Sequence, residues 1–174
     1  MRRSVIVTTM LMISTGSYSQ TPYAGMQARD IKALSEQQVS DLTNGRGMGL
    51  ALAAELNGFP GPSHVLELAD KLELSPDQRA GVKVLFDAMK AEALPLGSKL
   101  IEQEYDLDTK FATRTITPET LTASTASIAA NQGTLRETHL KYHLSTAAIL
   151  THDQMERYAG LRGYGGHSGR HRHD

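Results

Sequence analysis

Leu74-Ser75-Pro76-Asp77-Gln78 and Leu150-Thr151-His152-Asp153-Gln154 carry one signal twice. Each sets an apolar residue before a hydroxyl residue, follows it with an acidic first turn, and places a glutamine three positions after the hydroxyl. A helix begins this way. The hydroxyl oxygen accepts from backbone N–H groups that have no partner, the third residue can reach back to the cap, and acid suits the positive end of the helix dipole. Leu34-Ser35-Glu36-Gln37-Gln38 and Ile116-Thr117-Pro118-Glu119-Thr120 are looser forms of the same signal. Pro76 and Pro118 fall at the first helical position, where a missing N–H costs nothing. Four such starts read as an all-α fold.

The segments between the starts have the matching periodicity. From Pro76 to about Thr113, Val82, Phe86, Met89, Ala93, Leu96, Leu100 and Leu107 follow steps of four and three, with Gln103 as the one polar interruption. That is a coiled-coil-like seam, on a helix of about 57 Å at 1.5 Å per residue. Pro95 removes one ladder bond and clashes with the carbonyl of Ala91, so a kink or break is expected there, with Gly97 adding flexibility. Glu102, Glu104, Asp106 and Asp108 form an acidic, solvated face. The partner helix runs from Pro118 to about Ala148, with a seam of Leu121, Thr125, Ile128, Gln132, Leu135, His139, Tyr142, Thr146 and Ile149. This seam is poor in carbon. Each uncompensated buried polar group costs about 1–3 kcal/mol. Either the pairing is open and wet, or these groups find partners, or the face meets something else.

Shorter elements flank the pair. Asn44-Gly45-Arg46-Gly47-Met48-Gly49 breaks the first helix, a short apolar helix spans Leu50 to Leu56, and Asn57 to Pro62 is a turn. Ser63 then caps a helix through about Leu72, and a last short helix runs from His152 to about Leu161. The glycines lack a preceding strand and the dinucleotide spacing, so they read as a tight turn and not as a phosphate cradle.

Residues 1–19 read as a secretory signal peptide. Arg2 and Arg3 supply the positive start, Val5 to Ile13 the apolar run, and Ser17 and Ser19 the small residues before a cut at Gln20. An uncleaved membrane anchor is the alternative. No other run approaches the ~20 residues of a membrane span. Cleavage leaves 155 of the 174 residues: a flexible lead-in at 20–29, a single helical domain at 30–162, and a disordered tail at 163–174 whose His167, His171 and His173 bind metals loosely. Arg2 and Arg3 are two of the 18 Lys and Arg, so 16 remain against 19 Asp and Glu, a net of −3. That argues against a nucleic-acid partner. The absence of Cys excludes disulfides and thiolate ligands.

The chemistry-bearing residues are few. His139 and His143 stand one helical turn apart on one face, a spacing at which two imidazoles can chelate one ion, and neutral imidazole suits Ni, Co, Cu and Zn. His64 is a candidate third ligand, and Glu92 or Glu104 a candidate oxygen donor. In the competing reading His139 is a hydrogen-bonded seam residue and His143 is exposed. Leu140 stands where a zinc protease needs its glutamate, and no nucleophile motif is present, so an enzyme is not expected. No cofactor is required beyond a possible divalent ion.

The paired starts Leu74, Ser75, Gln78 and Leu150, Thr151, Gln154 resemble the LTxxQ motifs of the Spy/CpxP family of exported bacterial proteins. Gly45 to Gly49, Ala54-Glu55-Leu56-Asn57-Gly58 and Pro60-Gly61-Pro62 resemble the branch described as periplasmic heavy-metal sensors or heavy-metal-resistance proteins. The likeness covers roughly residues 30–164. It implies an elongated, hooked antiparallel hairpin of four to five helices in the periplasm, often a homodimer forming a shallow cradle. It also implies a role in envelope stress or heavy-metal response. Such a protein holds unfolded client proteins without ATP, or senses Ni, Co, Cu or Zn through His, Glu and sometimes Met for an envelope signalling partner. A purely structural or interaction helical module is the remaining alternative.

Overall fold

A computed structural model describes residues 23–164. Among them are six α-helices and no strand: α1 Glu36–Thr43, α2 Leu52–Glu55, α3 Pro62–Glu67, α4 Pro76–Ala112, α5 Pro118–Ala147 and α6 His152–Leu161. One 3-10 turn, Met26–Ala28, precedes α1 within the expected lead-in. The expected signal peptide and the histidines at 167, 171 and 173 lie outside the described residues.

All four start signals are reciprocal caps. Ser35, Ser75, Thr117 and Thr151 each accept from the backbone N–H three residues on, and the side chains of Gln38, Gln78, Thr120 and Gln154 accept in return from the cap N–H. Ser63 does not cap α3. Gly61 stands at that position, Pro62 takes the first turn, and the helix stops at Glu67, well short of Leu72. Proline at the first helical position starts the helix one residue before the serine.

α4 and α5 pair antiparallel. Asn131 donates to the Leu96 carbonyl and to Gln103 Oε1, both at 3.0 Å, while Tyr142 OH donates to Glu92 Oε1 at 2.8 Å. The break expected at Pro95 does not occur, and α4 runs unbroken through it. Pro95 lies on the exposed side, whereas Ala93, Gly97 and Leu100 are buried, so the packed face holds the helix together. Gly97 is not a flexible joint. A Cβ there would stand 2.5 Å from the Leu42 carbonyl oxygen, so the glycine is what lets the end of α1 lie against α4.

The register of α5 also differs from the expected seam. Gln132 and Thr125 are exposed, and Asn131, Thr138 and His143 are buried. Two of the buried polar groups on this face find partners: Asn131 as above, and Thr146 Oγ1, which donates to the Tyr142 carbonyl at 2.7 Å.

Two apolar clusters result. One joins Ile31, Leu34 and Leu42 to Ala93 and Leu100 of α4 and to Ile128 and Leu135 of α5. The other joins Val65, Leu72 and Leu74 to Val82, Leu150 and Tyr158. The paired motifs meet in the second cluster, which explains their composition. Leu74 and Leu150 are buried, Ser75 and Thr151 cap, and the two glutamines join each other. Gln78 Nε2 donates to Gln154 Oε1 at 2.8 Å and to the Ile149 carbonyl at 3.0 Å; Gln154 Nε2 donates to Gln78 Oε1 at 3.0 Å and to the Leu72 carbonyl at 3.3 Å. Each glutamine thus caps its own helix and ties down the other's.

Candidate functional site

The site lies between the two apolar clusters. It is organised by a residue that the sequence reading left unassigned, Glu55, at the end of α2. Its side chain is buried. The Asn57–Pro62 turn brings the chain back over it, so that Gly61 N donates to Oε2 at 3.3 Å. Tyr158 OH of α6 donates to Oε1, as does Tyr164 OH at 3.3 Å. His64 Nδ1 stands 3.3 Å from Oε1, Arg162 Nε 3.8 Å from Oε1, and His143 Nδ1 3.7 Å from Oε2. Burial alone would raise this carboxyl. The hydrogen bonds from His64 and Tyr158 and the charges of His64 and His143 outweigh it, and hold the group down at about 2. Burial, and then the Glu55 hydrogen bond and charge, push the Tyr158 phenol far above its usual range.

Gly163 and Tyr164, expected to begin a disordered tail, therefore belong to the body. Tyr164 N donates to the Ala159 carbonyl at 2.8 Å, and its hydroxyl reaches Glu55.

His143 is buried, not exposed. Its Nδ1 faces the Phe59 carbonyl oxygen at 2.7 Å. A carbonyl only accepts, so Nδ1 carries a proton and donates to it. His139, one turn earlier, is 2% exposed. It is not hydrogen-bonded as the seam reading expected: its Nε2 is the one buried side-chain polar atom without a partner among the described residues. Burial, and then the charge of His143, hold His139 below the usual imidazole range and so favour the neutral form. Two glycines make room for these rings. A Cβ on Gly47 would stand 3.2 Å from His139 Nδ1, and one on Gly61 would stand 2.7 Å from His143 Nε2.

His64, His139 and His143, far apart in sequence, line one cleft of about 570 Å³ with Glu55, Met48 and Met89. The two acids expected as oxygen donors are elsewhere. Glu92 is held by Lys141 and Tyr142. Glu104 is half-buried on α4, and burial raises its carboxyl. Neither lines the cleft. The Glu55 signal was present in the sequence as the one charge in the apolar stretch Leu50–Leu56, directly before a turn that folds back on it.

The donors suit a transition metal in kind: two imidazoles, one with an orphaned nitrogen and one oriented by a backbone carbonyl in the way metal ligands are held. They do not form a closed cage. Among the described residues no three His, Asp or Glu side chains are placed to hold an ion together. No helix among the described residues is long and apolar enough to cross a membrane. In comparisons with known proteins, the chain matches no family model, no curated protein and no solved structure.

Proposed function

We propose that this chain is an exported, non-enzymatic helical protein of the Spy/CpxP type. In this reading it responds to a transition metal captured in the cleft between α3, α4 and α5. The observation that carries the proposal is the His139–His143 pair. A protein interior rarely leaves a buried imidazole nitrogen without a partner, because the omission costs about 1–3 kcal/mol. A ligand bound by that nitrogen in its unprotonated tautomer would recover the cost. Capture must draw the donors together, since no three His, Asp or Glu converge as they stand. A site that moves as it fills is what a sensor needs in order to report to a signalling partner.

The test is a metal titration of the chain ended after Tyr164, which keeps the Glu55 cluster and removes the tail histidines. It should take up one ion of Ni, Co, Cu or Zn per chain, and His139→Ala should abolish that uptake. Unchanged affinity in the variant would refute the site.

A second reading, capture of unfolded clients without ATP, is favoured by one observation. Leu52, Leu56 and Phe59 are 54%, 57% and 40% exposed around α2, an apolar rim that a non-native chain could cover. The protein would then suppress aggregation of a denatured client at stoichiometric ratios, and Leu52→Ser with Leu56→Ser would weaken the effect. A client that aggregates equally with and without the protein would end this reading.

A further inference from the structure

The cleft offers donors of unequal availability. Glu55, its buried carboxylate, is engaged by Tyr158, Tyr164, His64 and the Gly61 amide. It could bind an ion only by giving up those partners. With no three His, Asp or Glu placed to share an ion, His139 and His143 need further ligands of another kind.

Two thioethers line the same cleft. Met89 comes from the buried face of α4 and is 6% exposed. Met48 directly follows Gly47, the residue that lies against the His139 ring. Its backbone is left-handed, with φ of 49°. A side chain other than glycine's is strained there. Glycine stands on both sides of Met48, yet this strained position keeps a methionine. The position is 41% exposed, so burial of an apolar side chain does not account for it.

We infer that the cleft is a cuprous-ion site in which the sulfurs of Met48 and Met89 join the imidazoles of His139 and His143. Neutral thioethers and imidazoles suit a soft, monovalent ion. Ni, Co and Zn, as harder dications, gain more from carboxylate or thiolate charge, which the engaged Glu55 and the Cys-free chain do not provide. The inference rests on the metal-binding reading above and deepens it by naming the ion and two more ligands.

The test uses the full chain with His167→Gln, His171→Gln and His173→Gln, so that the tail cannot bind. Cu(I) is added anaerobically against a competing chromophoric chelator, with Zn(II) titrated separately, and the copper-loaded chain is studied by X-ray absorption. The expected result is one Cu(I) per chain with sulfur in its coordination shell. Met48→Leu or Met89→Leu should weaken Cu(I) binding at least tenfold and reduce the sulfur signal, while leaving any Zn(II) affinity unchanged. The absorption spectrum of the chain with both methionines intact reports copper–sulfur bonding independently of how the variants fold, and the variants assign it to Met48 and Met89. A copper shell of nitrogen and oxygen alone, or Cu(I) affinity unmoved by both variants, overturns the inference while leaving metal binding standing. Binding of neither Cu(I) nor any divalent ion overturns both.

Discussion

Glu55 and His139 are both buried beside the same cleft, and their surroundings treat them oppositely. Glu55 gathers partners from the turn before α3, from α3, α6 and the segment after α6, and its charge is stabilised strongly enough to hold the carboxyl at about 2. His139 has no partner at Nε2 and is held in its neutral form. One group fastens the fold and the other costs it stability. The difference separates the structural part of the cleft from the part with capacity to spare. A residue that only held α6 in place would resemble Glu55; a residue kept despite its cost calls for another reason.

The comparison is broken most easily at Glu55. Removing one partner from a buried ionic network leaves the rest uncompensated and costs about 3–5 kcal/mol. Glu55→Ala should therefore lose about that much in urea unfolding, and a loss below about 1 kcal/mol would show that the cluster is not a fastening. Acid offers a second route. The carboxyl is lowered from 4.5 to about 2 on folding, so its stabilisation is complete above pH 4.5 and is lost as pH falls from 4.5 towards 2. At 1.36 kcal/mol per pH unit this is worth about 3 kcal/mol. Thermal melts across that range should show the loss, and Glu55→Gln should flatten the profile.

A smaller effect is expected where the paired motifs meet. Gln154→Ala deletes a helix-cap return and two cross-links, for about 1–2 kcal/mol. Gln78→Ala should match it, and the double variant should lose less than the sum because the two share partners. The smallest effect is predicted at His139. His139→Leu removes an orphaned polar atom but puts a branched chain where a flat ring packed, two changes of opposite sign, so stability should move by no more than about 1 kcal/mol. If this variant unfolds as readily as Glu55→Ala, the contrast between the two groups is false.

Much of this was legible in the residues. The helix starts at Ser35, Ser75, Thr117 and Thr151 stand where their chemistry placed them, because a cap is a local device and needs only neighbours within one turn. The His pair and His64 do line one cleft, as their combination suggested. What local reading missed depended on distance. Asn131, not Gln132, faces α4, because one residue of register is decided by the partner helix. Gly97 looked like a loose joint until α1 was seen lying against it. Glu55 was hidden because its partners lie six to more than a hundred positions away. Pro95 reads as a break in the sequence because the packing that carries α4 unbroken past it comes from other helices.

The central claim is that His139 and His143, and not the tail, take up the ion. Imidazole nitrogen NMR of the full chain tests it most directly, by following each histidine as one equivalent of metal is added under mildly competing chelation. The account predicts large nitrogen shifts at His139 and His143 with little change at His167, His171 and His173. Shifts confined to those three tail histidines, with His139 and His143 unmoved, would contradict it.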